Sequence, residues 1–407
     1  MDLVFHRPEL AAALAERLLC PGPLDTALRS GLFVRGMRRT GKTTFLAHDL
    51  IPALESLGAV VVYVDLWKAP ARSPADMVHA AVRKAVADLA NPASRTLRRL
   101  SALRGVKASA FGLSFGLDVE RLGDADGPTL ADALVRLVDR AEGDVVLIVD
   151  EVQHALGTEA GRNLMFALKA ARDAVNVRPQ TPGYLLFVGT GSHRSLVGEL
   201  TEQRSQAFAG AYAMEFPLLG RDYIEDLLER LGTVRRPDGE PMALPSLDIA
   251  HRAFETVGHR PEDMLRAMEI LGSRLAEGEK PDAILPSIAA TLRESAADVE
   301  LAKVDRLGAL AVLVFERLIG SEGRSDRGER GLFGAATTAA FSERLGRSVT
   351  ADEVNVALRA LTGENLVMRL GHGHYGVTDP FVREVAQRRR GQREALGLGS
   401  VDSSNGR

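Results

Sequence analysis

The chain has 407 residues, 45% of them hydrophobic and 26% charged, and this length predicts two or three domains rather than a single core. Its one cysteine, Cys20, excludes an internal disulfide and a zinc site built from several thiolates, which suits a reducing cytoplasm. The net charge of −3 excludes a surface uniformly coated by nucleic acid, although it leaves room for a local DNA contact.

Two apolar runs and the first charged residues bear on membrane attachment. The runs "AVVVYV" (59–64) and "VVLIV" (145–149) have the length of a β-strand and are too short to cross a membrane. His6, Arg7 and Glu9 precede any apolar core, so we expect no signal peptide. A cytoplasmic location without membrane contact is therefore expected.

The first segment with a chemical signature follows a predicted helix (8–19) and a short apolar strand (32–34). There "GMRRTGKT" (36–43) fits the pattern G-x-x-x-x-G-K-[ST]. Its glycines let backbone N–H groups converge on phosphate oxygens, while Lys42 reaches the outer phosphates and the Thr43 hydroxyl binds Mg²⁺. A helix beginning at the second glycine would add its N-terminal dipole to the same anion site. We predict that this loop binds a nucleotide.

A second strand supplies acidic side chains. The segment "DVVLIVDE" (144–151) is apolar on both faces, as in the middle of a parallel sheet, and ends with Asp150 and Glu151. Ligands of open α/β sheets bind at the carboxyl ends of the strands, so we predict that Asp150 holds Mg²⁺ and Glu151 polarises the attacking water. A further buried strand, "YLLFVGTGS", ends with Thr190 and Ser192, either of which could hydrogen-bond the water or the γ-phosphate.

The remaining strands and an insertion complete the first domain. Strands are also predicted over 59–66 and 211–216, which makes a five-stranded sheet. An insertion of about 68–143 separates the second strand from the acidic strand. It contains a predicted helix over 74–90 and, over 107–120, a period-two pattern with two glycines that predicts a β-hairpin.

The second half of the chain is predicted to be mostly helical. Residues 218–298 form a helical lid. Residues 299–393 have the pattern of a winged helix, in which a capping box of Thr350 and Glu353 starts the third helix and a hairpin follows it. The tail 394–407 is expected to be disordered.

The charge pattern of the winged helix leaves its partner open. The basic segment "REVAQRRRGQR" (383–393) could contact DNA phosphates, or it could be a solvated terminal helix. On the third helix Arg359 stands among Asp352, Glu353 and Glu364, which makes a poor surface for phosphates. A protein partner is therefore almost as well supported as DNA.

Together these motifs resemble the AAA+/STAND-group ATPases of the archaeal-type, origin-recognition-like family, and the resemblance covers nearly the whole chain. Arg38 and Arg39 match the loop G-P-R-R-x-G-K-T, with Met37 in place of proline, and "DEVQ" (150–153) matches D-E-x-Q. Arg7 lies in a shortened form of the adenine-side box F-x-x-R-x-x-E-L. For the two loop arginines, a solvated or ion-paired position is an equal alternative to a nucleotide contact.

The resemblance implies an α/β fold: a P-loop NTPase core of the ASCE type with a parallel sheet over 1–217, followed by the helical lid and the winged-helix domain. It also implies ATP as the nucleotide, with Mg²⁺, and a contact from the lid element "GHRP". The residues predicted to bind the nucleotide are Arg7, Gly36, Met37, Arg38, Arg39, Thr40, Gly41, Lys42, Thr43, Thr44 and Arg260. The residues predicted to act in hydrolysis are Lys42, Glu151 and Thr190. The residues predicted to hold Mg²⁺ are Thr43 and Asp150.

We therefore expect an ATPase whose nucleotide state moves the lid and the winged helix on a DNA or protein partner. One alternative is a switch that binds ATP but hardly hydrolyses it. Another is a DNA-binding regulator or adaptor in which ATP is a structural ligand. An unknown protein client and a nucleotide-dependent homo-oligomer are further expectations, and no membrane contact is expected.

Overall fold

The computed structural model describes residues 4–69, 71–91, 93–104, 121–123, 127–156, 158–192, 197–198, 200–201, 206–235, 242–274, 279–321, 331–371 and 373–395. The chain divides into two compact units, Met1–Pro217 and Leu218–Arg407. The predicted hairpin at 107–120, the tip of the predicted wing at residue 372, and most of the predicted tail lie outside the described residues.

The first unit is built on a five-stranded parallel sheet with the order β2-β3-β4-β1-β5. Its strands are β1 (Leu32–Arg35), β2 (Val60–Asp65), β3 (Val145–Asp150), β4 (Leu185–Gly191) and β5 (Tyr212–Glu215). All five predicted strands are present. In this sheet, β4 lies between β1, which precedes the phosphate loop, and the acidic strand β3. This strand order confirms the predicted P-loop core of the ASCE type.

Helices cover both faces of this sheet because the side chains of β3 alternate between two apolar clusters. Val145, Leu147 and Val149 face one cluster, whereas Val146 and Ile148 face the other, and all six residues of β3 are buried. The helices are α1 (Pro8–Leu19), α2 (Thr26–Ser30), α3 (Lys42–Phe45), α4 (Ile51–Ser56), α5 (Pro74–Ala90), α6 (Arg95–Arg104), α7 (Leu130–Ala141), α8 (Gln153–Leu156) and α9 (Glu159–Asn176). A π-helical turn, Leu46–Leu50, joins α3 to α4.

The second unit contains eight helices and one hairpin among its described residues. The helices are α10 (Arg221–Gly232), α11 (Leu247–Thr256), α12 (Pro261–Arg274), α13 (Pro281–Arg306), α14 (Ala309–Ser321), α15 (Ala335–Leu345), α16 (Ala351–Gly363) and α17 (Pro380–Ala395). The antiparallel hairpin consists of β6 (Val367–Gly371) and β7 (His374–Val377). Three helices followed by this hairpin give the predicted winged-helix architecture.

Two local details of the second unit bear on the sequence-based interpretation. The capping box at the start of α16 is present, since the Thr350 hydroxyl accepts from the Glu353 N–H and the Glu353 carboxylate accepts from the Thr350 N–H. The helix α13 runs without a break through the predicted boundary at 298/299 between lid and winged helix. Among the described residues, no helix is long and apolar enough to cross a membrane.

Candidate functional site

The loop between β1 and α3 has the backbone of a phosphate cradle. The sheet strand ends at Arg35, and the helix begins at Lys42. Gly41 caps the helix with a φ of 90°, a left-handed conformation that a residue with a Cβ adopts at a cost. Gly36 lies against Phe216, whose Cβ would be 3.3 Å from a Cβ placed on the glycine. The backbone therefore favours glycine at Gly41 and close packing favours it at Gly36, and the first N–H groups of α3 face the loop.

Lys42 lies inside this loop. Its side chain is buried, with 5% of the residue exposed. The ammonium donates to the carbonyl oxygens of Gly36 at 2.9 Å and Met37 at 2.6 Å, and the Thr40 hydroxyl donates to the same Met37 oxygen at 2.9 Å. The loop thus curls around a buried positive charge, which is the arrangement needed to receive phosphate oxygens.

The carboxylate of Asp150, at the carboxyl end of β3, is the polar centre of the site. The residue is 1% exposed and accepts hydrogen bonds from three hydroxyl groups. Thr43 Oγ1 donates at 2.7 Å and Tyr63 Oη at 3.0 Å to Oδ2, and Thr190 Oγ1 donates to Oδ1. The structure therefore brings together three residues assigned from the sequence and adds a tyrosine from β2.

Sequence reasoning missed Tyr63, although a hydroxyl within the otherwise aliphatic strand "AVVVYV" is the signal that could have found it. Burial raises the pKa of the Tyr63 hydroxyl far above its usual range, and the charge of Asp150 and the hydrogen bond to it add to this shift. The phenol therefore stays protonated and acts as a donor to the carboxylate.

Glu151 follows with a φ of 59°, so the chain turns sharply where β3 ends. Its N–H donates to Thr190 Oγ1 at 3.3 Å. Its carboxylate oxygen Oε2 accepts from Ser192 Oγ at 3.2 Å and from the side-chain amide of Gln153. The predicted base is thus held in place by two polar side chains of the same sheet edge.

Arg38 contacts the site, whereas sequence reasoning left its position open. Its Nε donates to Ser192 Oγ at 3.1 Å, and its guanidinium carbon lies 5.7 Å from the ring centroid of Trp67. Trp67, the only tryptophan of the chain, stands 4.6 Å from the ring of His154. Burial lowers the pKa of His154; the charge of Glu151 opposes this shift, and the charge of Arg38 adds to it. The neighbouring Arg39 adopts a φ of 63°.

The segment before α1 lies against the helix that follows the loop. The Arg7 N–H donates to Asp49 Oδ2 at 3.1 Å, and the Arg7 guanidinium donates to the Pro217 carbonyl at 2.6 Å and lies over the Phe216 ring. Asp49 belongs to the π-helical turn and also contacts His6 Nδ1 at 2.7 Å. These contacts fix Arg7 on the P-loop side of the sheet, and its role beside the adenine stays a prediction.

Two further residues, Thr44 and Arg260, were also assigned to the nucleotide from the sequence. Thr44 is exposed in the first turn of α3. In the second unit, Arg260 forms an ion pair with Asp379 and lies 3.8 Å from Asp263. A nucleotide contact of either residue stays a prediction.

The described residues fit a magnesium nucleotide. The adjacent oxygens of Thr43 and Asp150 are the hard donors that Mg²⁺ prefers, and it usually binds through one or two such groups plus phosphates and water. The buried ammonium of Lys42 supplies the positive charge that phosphates require. Together these groups have the chemistry that fits a phosphate chain and its cation.

No protein-family model and no curated protein sequence matches the chain. Among solved structures, the ADP form of the ORC2 protein of Aeropyrum pernix matches with a TM-score of 0.53 and 14% identity, covering 98% of each chain. ADPNP–ADP complexes of the same protein match at 0.49 and 16% identity over 95% and 94%. The A. pernix ORC1 protein in complex with DNA matches at 0.42 and 20% identity over 97% and 95%. On the likeness to the ADP form, the chain shares the fold of the A. pernix ORC2 protein over nearly its whole length.

Proposed function

We propose that this protein is an AAA+/STAND-type ATPase that binds ATP with Mg²⁺ and hydrolyses it. The observation that carries the proposal is the 2.7 Å hydrogen bond from Thr43 to Asp150, residues 107 positions apart. It joins the phosphate loop to the acidic strand, the two parts that nucleotide hydrolysis requires at one point.

Each side chain has a distinct task in this proposal. Lys42 binds the outer phosphates, and Thr43 and Asp150 hold Mg²⁺. Bound Mg²⁺ supplies neutralising charge for the phosphate oxygens. Glu151 orients the attacking water and accepts its proton, while Thr190 fixes the Asp150 carboxylate from the next strand.

A second candidate is a nucleotide switch with very slow turnover. The observation in its favour is that Glu151 Oε2 already accepts hydrogen bonds from Gln153 and Ser192. A carboxylate oxygen that already accepts two hydrogen bonds is less available to the attacking water, so hydrolysis would be slow until a partner rearranges the site. In both candidates the nucleotide state acts on the lid and the winged helix.

For the partner of the winged helix we propose DNA bound weakly, or a protein. The terminal helix α17 offers less free charge than its sequence suggests, since Arg388 pairs with Glu294 at 2.6 Å and Arg389 pairs with Asp298. These partners lie on α13, so the two arginines are partly neutralised within the unit. Phosphate contacts along α17 would have to compete with these ion pairs.

Turnover of radiolabelled ATP, measured with Mg²⁺, with EDTA and with added duplex DNA, tests the proposal. We expect Mg²⁺-dependent phosphate release that Glu151→Gln abolishes, together with ATP binding that Glu151→Gln retains. Tight ATP binding without turnover in the wild type, with or without DNA, would favour the switch. Absence of ATP binding would refute both candidates.

A further inference from the structure

Two polar side chains from separate segments, Gln153 and Ser192, hydrogen-bond to the carboxylate of Glu151, and Arg38 from a third segment holds Ser192. Gln153 comes from the start of α8, Ser192 follows β4, and Arg38 comes from the phosphate loop. The Ser192 hydroxyl donates to Glu151 and accepts both from Gln153 Nε2 at 3.1 Å and from Arg38 Nε at 3.1 Å. Its hydrogen-bonding capacity is thus fully used, and the orientation of the hydroxyl is fixed.

The burial of Gln153 is what requires explanation. The residue is 5% exposed, and its Nε2 donates to both Glu151 and Ser192. Its other polar atom, Oε1, is buried without a hydrogen-bond partner. A buried unsatisfied acceptor costs about 1–3 kcal/mol, so an apolar side chain of equal volume would pack there more cheaply. The function of the amide therefore lies in its NH₂ group, which donates a hydrogen bond to Glu151.

The backbone conformation of Glu151 is a second feature that points to a functional role of this carboxylate. With a φ of 59°, this residue lies in the left-handed region that side chains disfavour by roughly 1–2 kcal/mol. At this turn the carboxylate hydrogen-bonds to Gln153 and Ser192. A strained backbone and a half-satisfied amide thus occur at the same carboxylate, as is typical of functional sites.

We propose that Gln153 and Ser192 are positioning residues for Glu151, and that Arg38 fixes Ser192 from the phosphate loop. The inference rests on the proposed function, because it assigns a task to the residue that activates water. With Oε2 held by two donors, the carboxylate has one orientation and leaves Oε1 for the water. Because Arg38 belongs to the loop that receives the phosphates, this chain of hydrogen bonds also connects nucleotide binding to the base.

The decisive variant is Gln153→Met, which keeps the volume and removes both the donor and the unsatisfied acceptor. We expect kcat to fall about 10- to 100-fold, the range that the loss of a hydrogen bond to a charged group allows, with KM for ATP changed less than about 3-fold. In the nucleotide-free protein the midpoint of thermal unfolding should stay the same or rise. A purely structural role predicts the reverse: a lower midpoint and unchanged turnover.

Two further variants and one control complete the test. Ser192→Ala should lower kcat in the same way, while Ser192→Thr, which keeps the hydroxyl, should restore most of it. Gln387→Met makes the same chemical change in α17, where the amide donates to the Ile319 carbonyl at 2.9 Å, and should leave turnover unchanged.

The outcomes separate this inference from the proposed function. If the wild type does not hydrolyse ATP, or if Glu151→Gln retains turnover, the proposed function fails. If the wild type is active and Glu151→Gln is inactive, but Gln153→Met has wild-type kcat, only the positioning role is wrong. A lower unfolding midpoint of Gln153→Met with unchanged kcat would likewise overturn it.

Discussion

Replacing Lys42 by methionine tests the contribution of its charge to ATP binding while the packing of its side chain is kept. Lys42→Met keeps the aliphatic stem but removes the ammonium that now donates to the Gly36 and Met37 carbonyls. In the complex this ammonium would contact phosphate, and a desolvated contact of that kind contributes about 3 kcal/mol. Since each 1.4 kcal/mol is tenfold in affinity, ATP should bind about 100-fold more weakly.

The same substitution should lower the stability of the nucleotide-free protein by less free energy than it costs in ATP binding. Met37 is half-buried, so water can replace the ammonium as a donor to its carbonyl, whereas the bond to the buried Gly36 carbonyl is lost. We therefore expect a loss of about 1–2 kcal/mol in the free energy of unfolding. Lys169→Met is the matched control, because Lys169 forms only an exposed ion pair with Asp173 on α9.

Isothermal titration calorimetry with Mg·ATP measures the affinity for ATP, and urea denaturation of the nucleotide-free protein measures the free energy of unfolding. Lys169→Met should bind ATP like the wild type. An affinity of Lys42→Met within about 3-fold of the wild type would show that the ammonium does not contact phosphate, and the assignment of the loop would then be wrong.

Four further outcomes are expected. Glu151→Gln should bind ATP within a few-fold of the wild type while its single-turnover rate, measured by quenched flow, falls about 100-fold or more, because the base is lost. Tyr63→Phe removes one of the three donors to the buried carboxylate and should lower the free energy of unfolding by about 1 kcal/mol in urea denaturation. Burial lowers the pKa of His154 in the folded state, so the unfolded chain takes up the proton first and stability should fall as pH drops below about 6.5. His154→Gln should reduce this loss between pH 7.5 and 5.5. Alanine at both Arg388 and Arg389 should leave the salt dependence of any DNA binding nearly unchanged, as titration by fluorescence anisotropy would measure, because both side chains are paired within the unit.

Opposite results would each remove one part of the interpretation. An unchanged chemical rate in Glu151→Gln would leave the switch as the better function. Wild-type stability of Tyr63→Phe would mean that its hydrogen bond to Asp150 contributes nothing net. An unaltered pH dependence in His154→Gln would assign the loss to other groups, of which His79 also has a pKa lowered by burial. A salt dependence that falls by about one unit per arginine would place α17 on phosphates.

The sequence by itself determined the features that depend on neighbouring residues. The glycine pattern of 36–43 requires a tight loop before a helix, and the apolar run of β3 requires a strand covered on both faces. The capping box of Thr350 and Glu353 starts a helix because both partners lie within one turn. These patterns predicted β3, the starts of the helices after the loop and after the capping box, and the positions of Lys42 and Asp150 at one edge of the sheet.

Only the tertiary structure decided which side chains share that edge. Tyr63 reaches Asp150 because the register of β2 against β3 places it there, and Gln153 reaches Ser192 because β3 and β4 are adjacent. Such contacts join residues dozens of positions apart, and their hydrogen bonds depend on distances that no local pattern encodes. The same holds for Arg388, whose charge the sequence shows but whose ion pair forms only when α17 packs on α13.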